Sequence, residues 1–235
     1  MNADKLSNRL QTVANFIESG SRIADIGSDH AYLPVFLAKN KQIEFAIAGE
    51  VVKGPHENAT NEINEQGVQG VVNSRLGDGL EVVSPEDHID TIVIAGMGGT
   101  LIAQILEAGK EKLQGVTTLV LQPNVGENRV RNWLMIHQYE ITKEQILKED
   151  HHIYEVIVAK KTTERITYSA EQLLFGPKLL QILPNQIFRE KWEAELARER
   201  TAVQQMEHAK KVPQDRIDKL NHKTEMIKKV LKLEN

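Results

Sequence analysis

From residue 21 to residue 160, short apolar runs alternate with segments of helical period, and past Lys161 the strand signals stop. No other feature restricts the fold as strongly, because strands separated by helices pair in parallel and need both sheet faces covered. Leu6, Leu10, Val13, Phe16 and Ile17 recur at helical spacing, so an amphipathic helix opens the chain and Gly20 ends it. Strands are expected at Ile23–Ile26, Phe45–Ala48, from Val71–Val72 onward, at Thr91–Ala95 and at Thr117–Leu121. Helices are expected between them, at Ala31–Ala38, Pro55–Gln66, Thr100–Glu107 and Glu127–His137. Ile141–Leu147 and Ile153–Ala159 read as two closing antiparallel strands. The fold class is therefore α/β, a doubly wound and mainly parallel sheet with helices on both faces.

The tail differs. Trp192, Leu196, Val203 and Met206 stand at a/d-like spacing, with polar Glu199 in the same register. Ile217, Leu220, Thr224, Ile227 and Leu231 follow a 3-4-3-4 spacing, and Pro213 lies between the two runs, where a helix breaks. This predicts a helical hairpin, read either as an antiparallel coiled coil or as a plain packing pair. The expected domains are 1–161, carrying the sheet, and 162–235, helical. Charge divides the same way: Gln186–Asn235 holds 12 Lys and Arg against 9 Asp and Glu, although the whole chain has a net charge of −4. A mildly basic appendage on an acidic body suits a substrate-facing element, while the overall balance argues against a general nucleic-acid coat.

The chain has no cysteine, which excludes disulfides and cysteine-based zinc sites; no metal is expected. The opening Met1-Asn2-Ala3-Asp4-Lys5 carries no apolar signal core, and no run nears the roughly 20 apolar residues needed to span a membrane. A cytoplasmic protein without a membrane partner is expected, with a monomer favoured.

Ligands of open α/β sheets sit beyond the carboxyl ends of the strands, at the switch point. Four loops fall there. The first is Asp25-Ile26-Gly27-Ser28-Asp29-His30-Ala31. Gly27 allows a tight turn and close backbone approach. Methyltransferases carry an acidic-x-Gly-x-Gly-x-Gly pattern here; Asp29 and Ala31 take the second and third glycine places. Asp25 and Asp29 together would repel a pyrophosphate and attract a cofactor with a sulfonium and an α-ammonium. An ordinary strand-to-helix turn is the plainer reading. The second loop holds Glu50 and Val51, 25 residues after Asp25. An acid there accepts from ribose hydroxyls, or is simply a charge at a helix approach. The third, Gly77-Asp78-Gly79, is either an adenine-amine acceptor or a turn. The fourth is Ala95-Gly96-Met97-Gly98-Gly99, whose glycines admit a ligand against bare backbone; a dinucleotide phosphate turn competes, and with it a nicotinamide-dependent oxidoreductase.

Three longer runs are more specific. DIGSDHAYLP (Asp25–Pro34), AGMGG (Ala95–Gly99) and QPNVGEN (Gln122–Asn128) closely resemble the bacterial tRNA adenine-22 N1-methyltransferase family, as do Leu6-Ser7-Asn8-Arg9-Leu10 and the helical extension. The resemblance covers essentially the whole chain. It implies a Rossmann-like class I methyltransferase domain binding S-adenosyl-L-methionine, a C-terminal coiled coil, and methyl transfer to N1 of an adenine in the D-arm region of tRNA. Asp29 and His30 are then candidate bases, with a solvent-facing helix terminus the plainer role for His30. Tyr32 is a candidate stacking platform or a packing residue. Gln122 and Asn124 are candidates for holding the adenine. Arg9, Arg129 and Arg131, with Lys160 and Lys161, are candidates for RNA phosphates. Where many amino-methyltransferases place an Asn/Asp-Pro-Pro-aromatic motif, this chain has AGMGG. A non-catalytic module that binds RNA or cofactor remains the third alternative.

Overall fold

The computed structural model describes residues 3–208 and 212–232; Met1 and Asn2 of the opening stretch, and Lys210, Lys211 and Glu234 of the charged tail, lie outside them. Helix α1 (Asn8–Asn15) precedes β1 (Ser21–Ile26), α2 (Tyr32–Lys39), β2 (Ile43–Glu50), α3 (Lys53–Glu65) and β3 (Val72–Leu76). Then follow β4 (Thr91–Met97), α4 (Gly99–Ala108), β5 (Thr118–Pro123), α5 (Glu127–Ile136), β6 (Tyr139–Glu149) and β7 (His152–Lys161). The seven strands form one sheet in the order β3-β2-β1-β4-β5-β7-β6. Neighbours from β3 to β5 pair in parallel, and β7 runs antiparallel to both β5 and β6. A dinucleotide sheet runs 3-2-1-4-5-6; here an antiparallel strand is inserted before the sixth.

Alternation along the strands builds two cores, one on each face. Ile23, Val93 and Val120 pack with Val13, Leu33 and Ala59 of α1, α2 and α3. Their neighbours Ala24, Ile92 and Leu119 pack with Ile102, Leu106, Val130 and Leu134 of α4 and α5. Near-continuous apolar strands are what a sheet buried on both faces requires. The registers Ile26 with Gly49, Ile26 with Ile94, Glu50 with Leu76 and Met97 with Pro123 bring the carboxyl ends of β1 to β5 to one edge.

Contacts divide the chain after Lys178, later than the boundary expected at Lys161. Helix α6 (Ala170–Phe175), with a Ser169–Gln172 capping box, lies in this intervening stretch and was not expected. Arg131 explains the shift. Its guanidinium, wholly buried, pairs with Glu144 and Glu155 and donates to the carbonyls of Leu173 and Leu174. The backbone N–H of Lys178 donates to Glu144. The segment therefore belongs to the sheet unit.

The second unit, Leu179–Asn235, contains α7 (Gln186–Glu207) and α8 (Gln214–Leu231) as an antiparallel hairpin. Trp192, Leu196, Val203, Ile217, Thr224, Ile227 and Leu231 are buried, as the spacing predicts. Lys223 of α8 reaches Glu199 at 2.6 Å, so the polar residue in the seam is paired. Pro213 caps α8.

Candidate active site

At the carboxyl edge of the sheet lies a cavity of about 420 Å³, within the range of small-molecule sites. The expected loops meet in it. Asp25, Gly27, Ser28, Asp29, Glu50 and Val51 line one part, and Gly77, Asp78, Gly79, Ala95, Gly96 and Met97 the rest. Gly98 and Gly99 do not line it. Gly98 is the N-cap of α4, and the Gly99 amide donates to the Val125 carbonyl at 2.7 Å. A side chain on Gly99 would lie 2.2 Å from the Gly126 carbonyl oxygen, so this glycine lets the β5 loop close on the helix. A phosphate-binding turn needs its helix amides directed at the ligand; here the first is already engaged.

The first loop turns at Gly27, whose φ is +75°, and a β-carbon there would lie 2.1 Å from the Met97 methyl. Asp29, in the second glycine place, needs no left-handed backbone. That conformation falls instead on His30 (φ 57°) and on Ala31 (φ 53°), in the third glycine place. Left-handed non-glycine residues are sparse and cluster at functional sites. The Asp29 side chain is 70% exposed, and His30 Nε2 stands 3.5 Å from its carboxylate. The His30 ring stacks on Tyr32, with centroids 5.2 Å apart, but only Tyr32 lines the cavity.

Asp25 and Glu50 are buried. The Ser28 hydroxyl donates to Asp25 Oδ2 at 2.5 Å. Burial pushes the Asp25 carboxyl up to about 6, against the Ser28 hydrogen bond and the charge of Arg9; Glu50 adds to the rise. Glu50 Oε1 accepts from the amides of Val51 and Val52 at 2.9 and 3.0 Å, tying the turn into α3. The charge at a helix approach and the residue facing a ligand are thus the same residue.

Arg9 is placed where the sequence did not put it. Glu149 accepts from the amides of Asn8 and Arg9, and Ser7 caps the first turn, fixing α1 at the end of β6. Arg9 Nη1 then donates to Gln122 Oε1 at 2.5 Å. Gln122 is fully buried and its amide is spent within the protein: Oε1 also accepts from Gly96 N–H, and Nε2 donates to Asn124. Asn124 is exposed and returns a bond from Nδ2 to the Gly96 carbonyl at 2.8 Å. Gln122 therefore holds the β4 and β5 loops together rather than reaching a base. Arg9 lines the cavity.

Two further expectations are corrected. Arg131 is wholly buried in its carboxylate pairs and cannot meet a phosphate. Lys160 pairs across the sheet with Thr118, at the amino end of β5 and so opposite the cavity, and bridges to Glu18; Lys161 follows it there. Arg129 is exposed in the first turn of α5. The apolar cavity wall formed by Leu10, Leu33, Leu101 and Ile105 was missed; Leu101 and Ile105 stand four apart on α4, a spacing that marks one helix face. Among the described residues no cluster could hold a metal ion and no helix is long and apolar enough to cross a membrane.

The cavity is lined by four acidic residues, Asp25, Asp29, Glu50 and Asp78, against one arginine. Such a site opposes a pyrophosphate and favours a ligand bearing positive charge, which weighs against the nicotinamide reading. Fold and site together define the class: a Rossmann-like methyltransferase.

A model of the tRNA (adenine(22)-N(1))-methyltransferase family matches residues 23–229. The tRNA (adenine(22)-N(1))-methyltransferase of Bacillus subtilis strain 168 is 42% identical over 237 residues, spanning 98% of this chain and 99% of its own. A Streptococcus pneumoniae structure in complex with S-adenosyl-L-methionine aligns with a TM-score of 0.87 at 38% identity, covering 97% of this chain and 100% of that one. An M. capricolum structure in complex with S-adenosyl-homocysteine aligns with a TM-score of 0.83 at 26% identity, over 97% and 98% of the two chains. This chain belongs to the tRNA (adenine(22)-N(1))-methyltransferase family.

Proposed function

We propose that this chain transfers a methyl group from S-adenosyl-L-methionine to N1 of adenine 22 in tRNA. The observation that carries the cofactor half is the acid-rich cavity at the carboxyl edge of the sheet. Its residues fit the group. Gly27 lets the Met97 methyl close against the first loop, Asp25 and Glu50 offer buried carboxylates, and the volume matches a small molecule. Family membership supports the tRNA half.

When bound, the cofactor supplies an electrophilic methyl on a cationic sulfur. Adenine N1 has a lone pair, so the protein's task is mainly to bring two atoms within about 3–3.5 Å in line. N1 lies on the Watson–Crick edge, so a paired adenine must leave its stack first. Tyr32, at the cavity wall with His30 stacked beside it, is suited to receive an extruded base. Methylation leaves the base positive. Asp29 lines the cavity with its carboxylate largely open to solvent, where it is suited to stabilise that charge or take a proton from the exocyclic amine. Asn124, exposed just after β5, is also bonded at both ends of its amide, to Gln122 and to the Gly96 carbonyl, and stays a candidate for the base edge through its second N–H. Arg9 moves from the RNA set to the cavity, while Arg129 stays as a phosphate candidate. A cytoplasmic location suits a tRNA substrate.

S-adenosyl-homocysteine should raise the melting temperature and NAD should leave it unchanged. Labelled methyl groups should pass to tRNA lacking the modification. Binding of cofactor and tRNA without label transfer would favour the non-catalytic module instead.

A further inference from the structure

We propose that Gln122 is a positioning residue that sets Asn124 as a hydrogen-bond donor to a ring nitrogen of the target adenine, N3 or N7. The inference rests on the methyltransferase reading and names a specificity contact for its second substrate.

A closed ring of three hydrogen bonds begins and ends on Gly96. Its N–H donates to Gln122 Oε1 at 3.0 Å, Gln122 Nε2 donates to Asn124 Oδ1 at 3.1 Å, and Asn124 Nδ2 donates to the Gly96 carbonyl at 2.8 Å. The two ends of a side-chain amide are told apart by their partners. A guanidinium and a backbone N–H can only donate, and Arg9 Nη1 and Gly96 N–H meet the same atom of Gln122, so that atom is the oxygen. The nitrogen then faces Asn124 and requires an oxygen there. At the other end the Gly96 carbonyl, which can only accept, requires the Asn124 nitrogen. The polarity of Asn124 is thus fixed from both sides. Gln122 is fully buried, so turning its amide round would set Nε2 against two donors and Oε1 against an acceptor, all out of reach of water.

The backbone N–H of Asn124 is bonded as well, to the Met97 carbonyl at 2.8 Å. Gly96 and Met97 line the cofactor cavity and Asn124 does not, so its side chain stands beside the cofactor bed rather than in it. It is exposed, with one N–H of Nδ2 left over from the ring. The methyl acceptor approaches from outside that bed. Adenine carries three ring nitrogens with free lone pairs, N1, N3 and N7. N1 spends its pair on the methyl group, and the exocyclic amine donates. A donor on the protein is therefore matched by N3 or N7.

Single-turnover methylation by the full chain reads this contact, on tRNAs carrying adenine, 3-deazaadenine or 7-deazaadenine at the target position. Each analogue keeps N1 and makes it more basic, so a slower reaction reports a lost contact and not a weaker nucleophile. The wild type should methylate one of the analogues about tenfold more slowly than adenine. Asn124→Ala should slow the adenine substrate by about the same factor and bring that analogue level with it. Gln122→Met should do likewise, and so should Gln122→Glu, which keeps an acceptor for Arg9 and Gly96 but has no N–H for Asn124. A purely structural role for Gln122 would slow all the substrates alike and preserve their ratio. Equal wild-type rates on the three tRNAs, or a ratio that survives in Asn124→Ala or in either Gln122 variant, overturns the inference. Because Asn124 is exposed and Gln122→Glu is nearly isosteric, the test stands even if Gln122→Met does not fold. Failure of the wild type to methylate the adenine tRNA overturns the methyltransferase reading itself, and the inference with it.

Discussion

Asp25 shows how one residue ties burial to binding. Its carboxyl is pushed up to about 6 because it is buried, so below that pH the folded protein holds it neutral. A cationic ligand favours the ionised form, so binding releases the proton. Affinity for S-adenosylmethionine, whose sulfonium supplies that positive charge, should therefore rise with pH through about 6 and level off above it, being about tenfold weaker at pH 5 than at pH 7.5. The sign for stability is opposite. The unliganded fold binds more protons than the unfolded chain between pH 4 and 6, so this group's contribution falls as pH rises across that window. A flat calorimetric profile from pH 5 to 7.5 would remove Asp25 from the ligand's charge balance. Arg131 makes the contrasting case. Replacing it with methionine leaves Glu144 and Glu155 buried without their shared cation, and should cost about 3–5 kcal/mol in urea unfolding. Burial already raises Glu144, so the loss should be smaller at pH 5 than at pH 8. Asp25 was read as an acid facing a cationic cofactor, but its burial was not legible beforehand, and neither was the role of Arg131. Arg9, Gln122 and Arg131 were all read as RNA-facing, since a polar residue's burial depends on tertiary partners 113, 24 or 13 positions away.

Elements were more readable, for a physical reason. A strand covered on both faces must be apolar throughout, so β1, β4 and β5 announced themselves. The a/d spacing of the hairpin did the same, and its buried residues follow it. Helix α6 went unnoticed because its six residues are too few to show a period. The loops were located correctly, but their glycines do different work. Gly27 and Gly96, both at positive φ, line the cavity, whereas Gly99 joins α4 to the β5 loop. Gly99→Ala sets a methyl against the Gly126 carbonyl and should cost about 1–3 kcal/mol. Because the displaced loop carries Asn124 and Val125, turnover should fall further than S-adenosyl-homocysteine affinity. If cofactor affinity collapsed as far as turnover, Gly99 would belong to the cofactor cradle after all.

At the scale of the whole molecule, the two compact units divide the work proposed for them. Every residue of the cofactor cavity lies in Met1–Lys178, and the hairpin supplies exposed cations such as Arg200, Arg216 and Lys219. Changing these three to glutamate should raise the KM for tRNA several-fold, flatten its salt dependence, and leave S-adenosyl-homocysteine binding unaltered. An unchanged KM would move RNA recognition off these three cations of the hairpin. The most direct test of the account is to map the product. The protein, labelled S-adenosylmethionine and an unmodified tRNA transcript should yield a reverse-transcription stop at adenine 22 and the label as N1-methyladenine. A transcript with guanine at that position should take up none. Label at another nucleotide, undiminished labelling of the guanine transcript, or no transfer to a well-folded transcript would contradict the central claim.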